Sequence, residues 1–103
     1  MAIGTVLIVG DPIGFETIAP TSAKALTATL VQTAAGVQAQ TALVTVEAQQ
    51  VRFRMDGTAP TATVGHIIAS GGSYVVEGHV AIKNLKFIDT AAGASTVRVT
   101  TFA

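Results

Sequence analysis

The segment VRFRMDGTAPTATVGH, residues 51 to 66, constrains the fold of this chain more than any other. Side chains of an extended chain alternate between two faces, so Val51, Phe53 and Met55 fall on one side and Arg52 and Arg54 on the other. That is the pattern of a half-buried strand. Asp56-Gly57 then breaks it, because Asp accepts from backbone amides two residues on and Gly takes positive φ at no steric cost. Pro60 has no backbone donor and a fixed φ, which makes 56–63 an ordered loop and not a central strand.

Strand-like runs recur along the chain: Thr5 to Val9, Phe15 to Ala19, Ala25 to Val31, Ala42 to Glu47, Val51 to Met55, Tyr74 to Glu77, Leu85 to Asp89 and Thr96 to Phe102. Turn chemistry separates them at Gly10-Asp11-Pro12, Ala19 to Ser22, Asp56-Gly57, Ser70 to Ser73 and Ala91 to Ser95. The frequent Val, Ile and Thr favour pleated strands. With 103 residues there is room for one domain, expected to be an all-β sandwich or barrel-like fold of seven or eight strands spanning 1–103. Residues 21–39 are ambiguous. Leu26, Leu30 and Ala34 repeat at helical spacing while Leu26, Ala28 and Leu30 alternate, and strand followed by loop is the expectation.

Pairing of the strands ending at Glu47 and starting at Val51 through Ala48-Gln49-Gln50 predicts a hairpin. Thr45, Glu47, Arg52 and Arg54 would then share its outer face, with Glu47 near Arg52. An exposed ion pair contributes only about 0 to 1 kcal/mol. The two arginines are alternatively suited to bidentate contacts with carboxylates of a partner subunit. Anion or sugar binding is a third use of such a face.

Charged residues make up 12% of the chain, against about 25% in ordinary soluble domains, and the formal net charge is zero. A small monomer of this kind exposes a poorly solvated surface, so burial in a homo-oligomer or larger assembly is expected. The alternative is that Thr, Ser, Gln and Gly supply the polarity of a free monomer. Six Lys and Arg in total are too few for a phosphate-binding surface, which argues against nucleic acid. The apolar opening AIGTVLIVG lacks the features of a signal peptide and falls short of the roughly 20 residues of a membrane span. Its Thr5 to Val9 run reads as a buried strand or as an arm adding to a neighbour's sheet edge.

No cysteine is present, so disulfides, thiolate nucleophiles and Cys-based zinc sites are out of reach. Asp56 with Thr58, Thr61 and Thr63 offers oxygens to calcium or a sugar, yet calcium takes six or more ligands, usually several of them carboxylates. His66 and His79 would make two metal ligands only if their strands adjoined, with no third ligand in view. There is no GxSxG, HExxH or phosphate loop, and Ser70 or Ser73 with a histidine forms no recognisable spacing. No enzyme activity and no cofactor are expected.

In order, VTVEAQQVRFRMDGTAPTATVGH, a Gly-Gly turn, IKNLKFIDT and a terminal VRVTTF give a series that resembles small virion-associated proteins of tailed bacteriophages. These carry an acidic residue before an alternating arginine strand, here Glu47 before Arg52 and Arg54. A DGTxPT and a GH follow, here Asp56 to Thr61 and Gly65-His66. The resemblance covers most of the chain apart from residues 33–41 and implies a structural component of the particle. It implies a capsid decoration or cement protein on the major capsid protein lattice at the virion surface, with a tail, neck or fibre component as the runner-up. A carbohydrate-binding adhesin is an alternative of another class, disfavoured by a single Tyr and no Trp. The residues expected to contact protein are Glu47, Arg52, Arg54, Asp56, Thr58, Pro60, Thr61 and Thr63.

Overall fold

The computed structural model describes residues 10–90 and 95–103. The described residues form eight strands and two short helices: β1 Pro12–Ile18, β2 Lys24–Ala25, α1 Ala28–Val31, β3 Thr41–Glu47, β4 Val51–Arg54, β5 His66–Ile68, β6 Ser73–Glu77, α2 His79–Lys83, β7 Lys86–Asp89 and β8 Thr96–Phe102. Two antiparallel four-stranded sheets form, ordered β1-β8-β3-β6 and β2-β7-β4-β5. The expected all-β sandwich is present. Its strand order is that of a jelly roll, in which two Greek keys wind through both layers.

Alternation sets which side chains enter the core. Ala42, Val44 and Val46 of β3 and Val97, Val99 and Thr101 of β8 are fully or almost fully buried, and they meet Val51 and Phe53 of β4 and Phe87 of β7 from the opposite sheet. The aromatic centre is built by register. Phe53 lies beside Phe87 on one flank and His66 on the other, with ring centroids 6.4 and 5.4 Å away, and Tyr74 reaches it from the facing sheet at 5.1 Å. Such tilted pairs add to the area they bury.

The hairpin expected across Ala48 to Gln50 does not form. Both flanks of β3 are occupied, by β8 and β6, and both flanks of β4 by β7 and β5, so the link carries the chain from one layer to the other. Ala48 takes φ 74 to make the turn. Its carbonyl accepts from Ser70 Oγ, and the Gln50 carbonyl accepts from Thr90 Oγ1 and Ser95 Oγ. Core-facing residues of β3 and β4 therefore oppose each other, and their outer faces point away from one another.

The long strand expected at Ala25 to Val31 is also corrected. Only Lys24–Ala25 pairs; Leu26 is then buried just ahead of a single helical turn, Ala28–Val31, which buries Leu30 and leaves Ala28 exposed. The strand ends at Ala25 and the turn starts at Ala28 because Glu16 holds Thr27, the residue between Leu26 and the helix. The Glu16 carboxylate accepts from the Thr27 amide at 2.8 Å and the Thr27 hydroxyl at 2.7 Å. Strand β5 and helix α2 were not expected; α2 places Ile82 in the core. The Thr5 to Val9 run lies outside the described residues. Among the described residues no helix is long and apolar enough to cross a membrane.

Candidate functional site

The loop between β4 and β5 folds back over the outer face of its own sheet. Alternation turns Arg52, Arg54 and Lys86 outward, and all three reach the loop. Arg52 donates from Nε to the Ala62 carbonyl at 3.1 Å and from Nη1 to the Gly65 carbonyl at 2.8 Å. Lys86 Nζ donates to the Gly57 carbonyl at 3.3 Å. Arg54 forms a two-pronged pair with Asp56, Nε to Oδ1 at 3.1 Å and Nη2 to Oδ2 at 2.5 Å.

The loop also ties itself together. The Thr58 amide donates to Asp56 Oδ1 at 3.2 Å, the side-chain turn expected of Asp-Gly-Thr. Thr61 Oγ1 accepts from the Val64 amide at 3.0 Å and the Thr63 amide at 3.3 Å, while the Thr61 amide donates back to the Val64 carbonyl at 2.9 Å. Pro60 is buried beneath it. Gly65 sits at φ +136, where a Cβ would stand 3.1 Å from the Phe53 carbonyl and 3.2 Å from both Pro60 and Arg52 side-chain atoms. Only glycine lets the loop come this close to β4.

Electrostatics follow the geometry. The Arg54 guanidinium, and secondarily the Thr58 amide, holds the Asp56 carboxyl below the usual range, and the same hydrogen bond raises Arg54. Asp56 is thus already paired, not an open ligand for a cation. Among the described residues no group of three or more His, Cys, Asp and Glu could hold a metal. His66 stands on β5, whereas His79 stands on α2 with Nδ1 3.1 Å from the Ala39 carbonyl, so the two are not strand neighbours.

Seven of the eight residues expected from the sequence meet in this one feature: Arg52, Arg54, Asp56, Thr58, Pro60, Thr61 and Thr63. Glu47 does not. It lies on the other layer, paired with Arg98 and not with Arg52. Gly65, Val64 and Lys86 complete the site unforeseen; the only sequence signal was the Gly of Gly65-His66. Thr58, Thr61, Thr63 and Val64 are exposed on the loop, and beside it Arg54, Met55, Asp56, Val64, Gly65 and His66 line an open cleft of about 570 Å³. A pre-shaped ridge of threonines next to an open cleft can bind a surface. No protein-family model matches the chain, and neither curated proteins nor solved structures give a match.

Proposed function

We propose that this protein is a structural component of a tailed-phage virion, a capsid decoration or cement protein that seats the 56–65 loop on the major capsid protein lattice. The observation that carries the reading is the scaffolding of that loop by Arg52, Arg54 and Lys86. Three of the chain's six basic residues hold a short loop in one shape, which lowers the ordering cost of docking it. Its exposed side chains are threonines, Ala59, Ala62 and Val64 beside the paired carboxylate of Asp56, suited to a protein surface and not to an anion.

Two further points support the reading. Jelly rolls serve in viral capsids, although they also serve in lectins and cupins, so the fold alone does not decide. A charge-poor exterior suits a protein that works embedded among neighbours, where many weak copies on a lattice add up. The adhesin alternative has less support, since Tyr74 is the one Tyr, no Trp is present, and the Tyr74 ring packs against Phe53 and is only partly exposed.

The test is co-sedimentation of the purified chain with intact heads, heads stripped of accessory proteins, and isolated tails. Saturable binding to stripped heads is expected, weakened by Val64→Asp. Binding to tails in place of heads would transfer the protein to the runner-up role, and binding to neither would sink the proposal.

A further inference from the structure

The other layer carries a second surface, on the far side of the sandwich from the loop. The register of β1, β8, β3 and β6 lines their outward side chains into rows that cross the whole sheet: Pro12, Phe102, Thr41, Glu77; then Phe15, Thr100, Leu43, Val75; then Thr17, Arg98, Thr45, Ser73. Phe15 is 59% exposed, and Leu43, Val75 and Phe102 are only half-buried although each sits within a sheet. The helices turn Leu30 and Ile82 into the sandwich and so do not cover these rows. The charges on the face are Arg98 and Glu47, which pair with each other, and Glu77 at the rim.

We infer that this face binds a second copy of the chain, face to face, about a two-fold axis parallel to the strands. That axis keeps each row but reverses its order, so every bulky side chain meets a smaller one: Phe15 meets Val75 of the second copy, Leu43 meets Thr100, Phe102 meets Thr41 and Arg98 meets Thr45. Glu77 meets Pro12 and Glu47 meets Thr96, so no like charges oppose. A two-fold perpendicular to the strands does worse, stacking Phe15 on Phe15 and Leu43 on Leu43. The first axis therefore gives a self-complementary, isologous contact of the kind that closes after two subunits.

Size sets its strength. At about 4.8 Å between strands and about 3.3 Å per residue, the face covers roughly 400 Å² per copy. The total of roughly 800 Å² lies below the 1,200 to 2,000 Å² of stable complexes. The dimer is accordingly reversible and dependent on concentration. It does not require the capsid reading, because the loop and this face lie on opposite layers.

Sedimentation velocity on the full chain over a concentration series tests the inference. A monomer–dimer equilibrium is expected, weakened on the order of tenfold or more by Leu43→Glu, which buries an unpaired carboxylate in the contact. Phe15→Ser, at an exposed position, gives the same weakening should Leu43→Glu fail to fold. Because the chain has no cysteine, Phe15→Cys and Val75→Cys can be made singly and treated with a short bismaleimide. The mixture of the two variants should cross-link into a dimer, and neither variant alone. A species that stays monomeric at all concentrations, grows past a dimer, or cross-links equally through Phe15→Cys alone overturns it. Monomers whose melting temperature falls with Phe15→Ser, at a position exposed in the single chain, would mean that a segment of the same chain covers the row, which also overturns it. Dimerisation without capsid binding would leave this inference standing and sink only the virion role.

Discussion

Arg52 and Gly65 are joined by a 2.8 Å hydrogen bond from the guanidinium Nη1 to the glycine carbonyl, and the Arg52 Nε reaches Ala62 at 3.1 Å. One side chain thus closes a loop that begins two residues after β4 ends and finishes at the start of β5. Arg52→Ala removes both bonds and strands two carbonyls near the sheet. A loss of about 1 to 2 kcal/mol is expected, since hydrogen bonds from a charged donor exceed neutral ones and the site is half solvated. Arg52→Lys should recover little of it, because an ammonium cannot span both carbonyls in one plane. Urea unfolding measures the loss, and hydrogen exchange should show the amides of 61–65 opening without the core strands. Unchanged protection there would contradict the clamp.

Gly65→Ala should be among the costliest glycine substitutions in the chain. The new Cβ would press on the Phe53 carbonyl and on Pro60 and Arg52 at a φ of +136, and strained backbone of this kind costs of order 1 to 3 kcal/mol. Gly71 is the control: it also has positive φ, 77, but open space around its Cβ position. Gly71→Ala should therefore lose less, about 1 kcal/mol. Equal losses in thermal unfolding would mean that backbone conformation, not the close approach to β4, decides the Gly65 position.

Where a segment's structure followed from its own side chains, it was legible in the sequence. The alternation of VRVTTF placed Val97 and Val99 in the core, and VRFR placed both arginines outward. Asp56-Gly57-Thr58 formed the turn its chemistry implies. What failed depended on distant partners. Glu47 and Arg52 are close in sequence, which suggests a pair, but strand order sends them to opposite layers and gives Glu47 to Arg98. Ala28 to Val31 became a helical turn behind Thr27, which is held by Glu16 eleven residues earlier. Lys86 reaches Gly57 from a strand that pairs with β4 only in the fold.

Acid should loosen the loop at one carboxyl. Asp56 is held below the ordinary carboxylate range by Arg54 first and the Thr58 amide second. Its folded value is below its unfolded one, so its contribution is present above the unfolded value, about 3.9, and is lost as pH falls through the folded value. Arg54 stays charged throughout. The pair is exposed, so the effect on global stability is small, and the clean readout is the carboxyl carbon shift of Asp56 in a pH titration. A midpoint below that of an ordinary aspartate is expected, returning toward it in Arg54→Gln; a midpoint at or above the ordinary value would contradict the pairing.

Thr101 gives a prediction of the opposite sign. It faces the core from β8, in register with Gly14 of β1 and Ala42 of β3, and is fully buried, yet its Oγ1 has no hydrogen-bond partner. A buried hydroxyl without a partner costs of order 1 to 3 kcal/mol relative to its solvated state. Valine has nearly the same shape and is equally suited to a strand, so Thr101→Val removes that cost without opening a cavity. It should stabilise the protein by about 1 kcal/mol, raising the melting temperature by roughly 4 to 8 °C for a domain of this size. Thr101→Ser is the counterpart: it keeps the hydroxyl and deletes the methyl, and should destabilise. If the valine variant melts at or below the parent, Thr101 Oγ1 has a partner in solution, an enclosed water being the simplest, and the gain is forfeited because that water would lose its site.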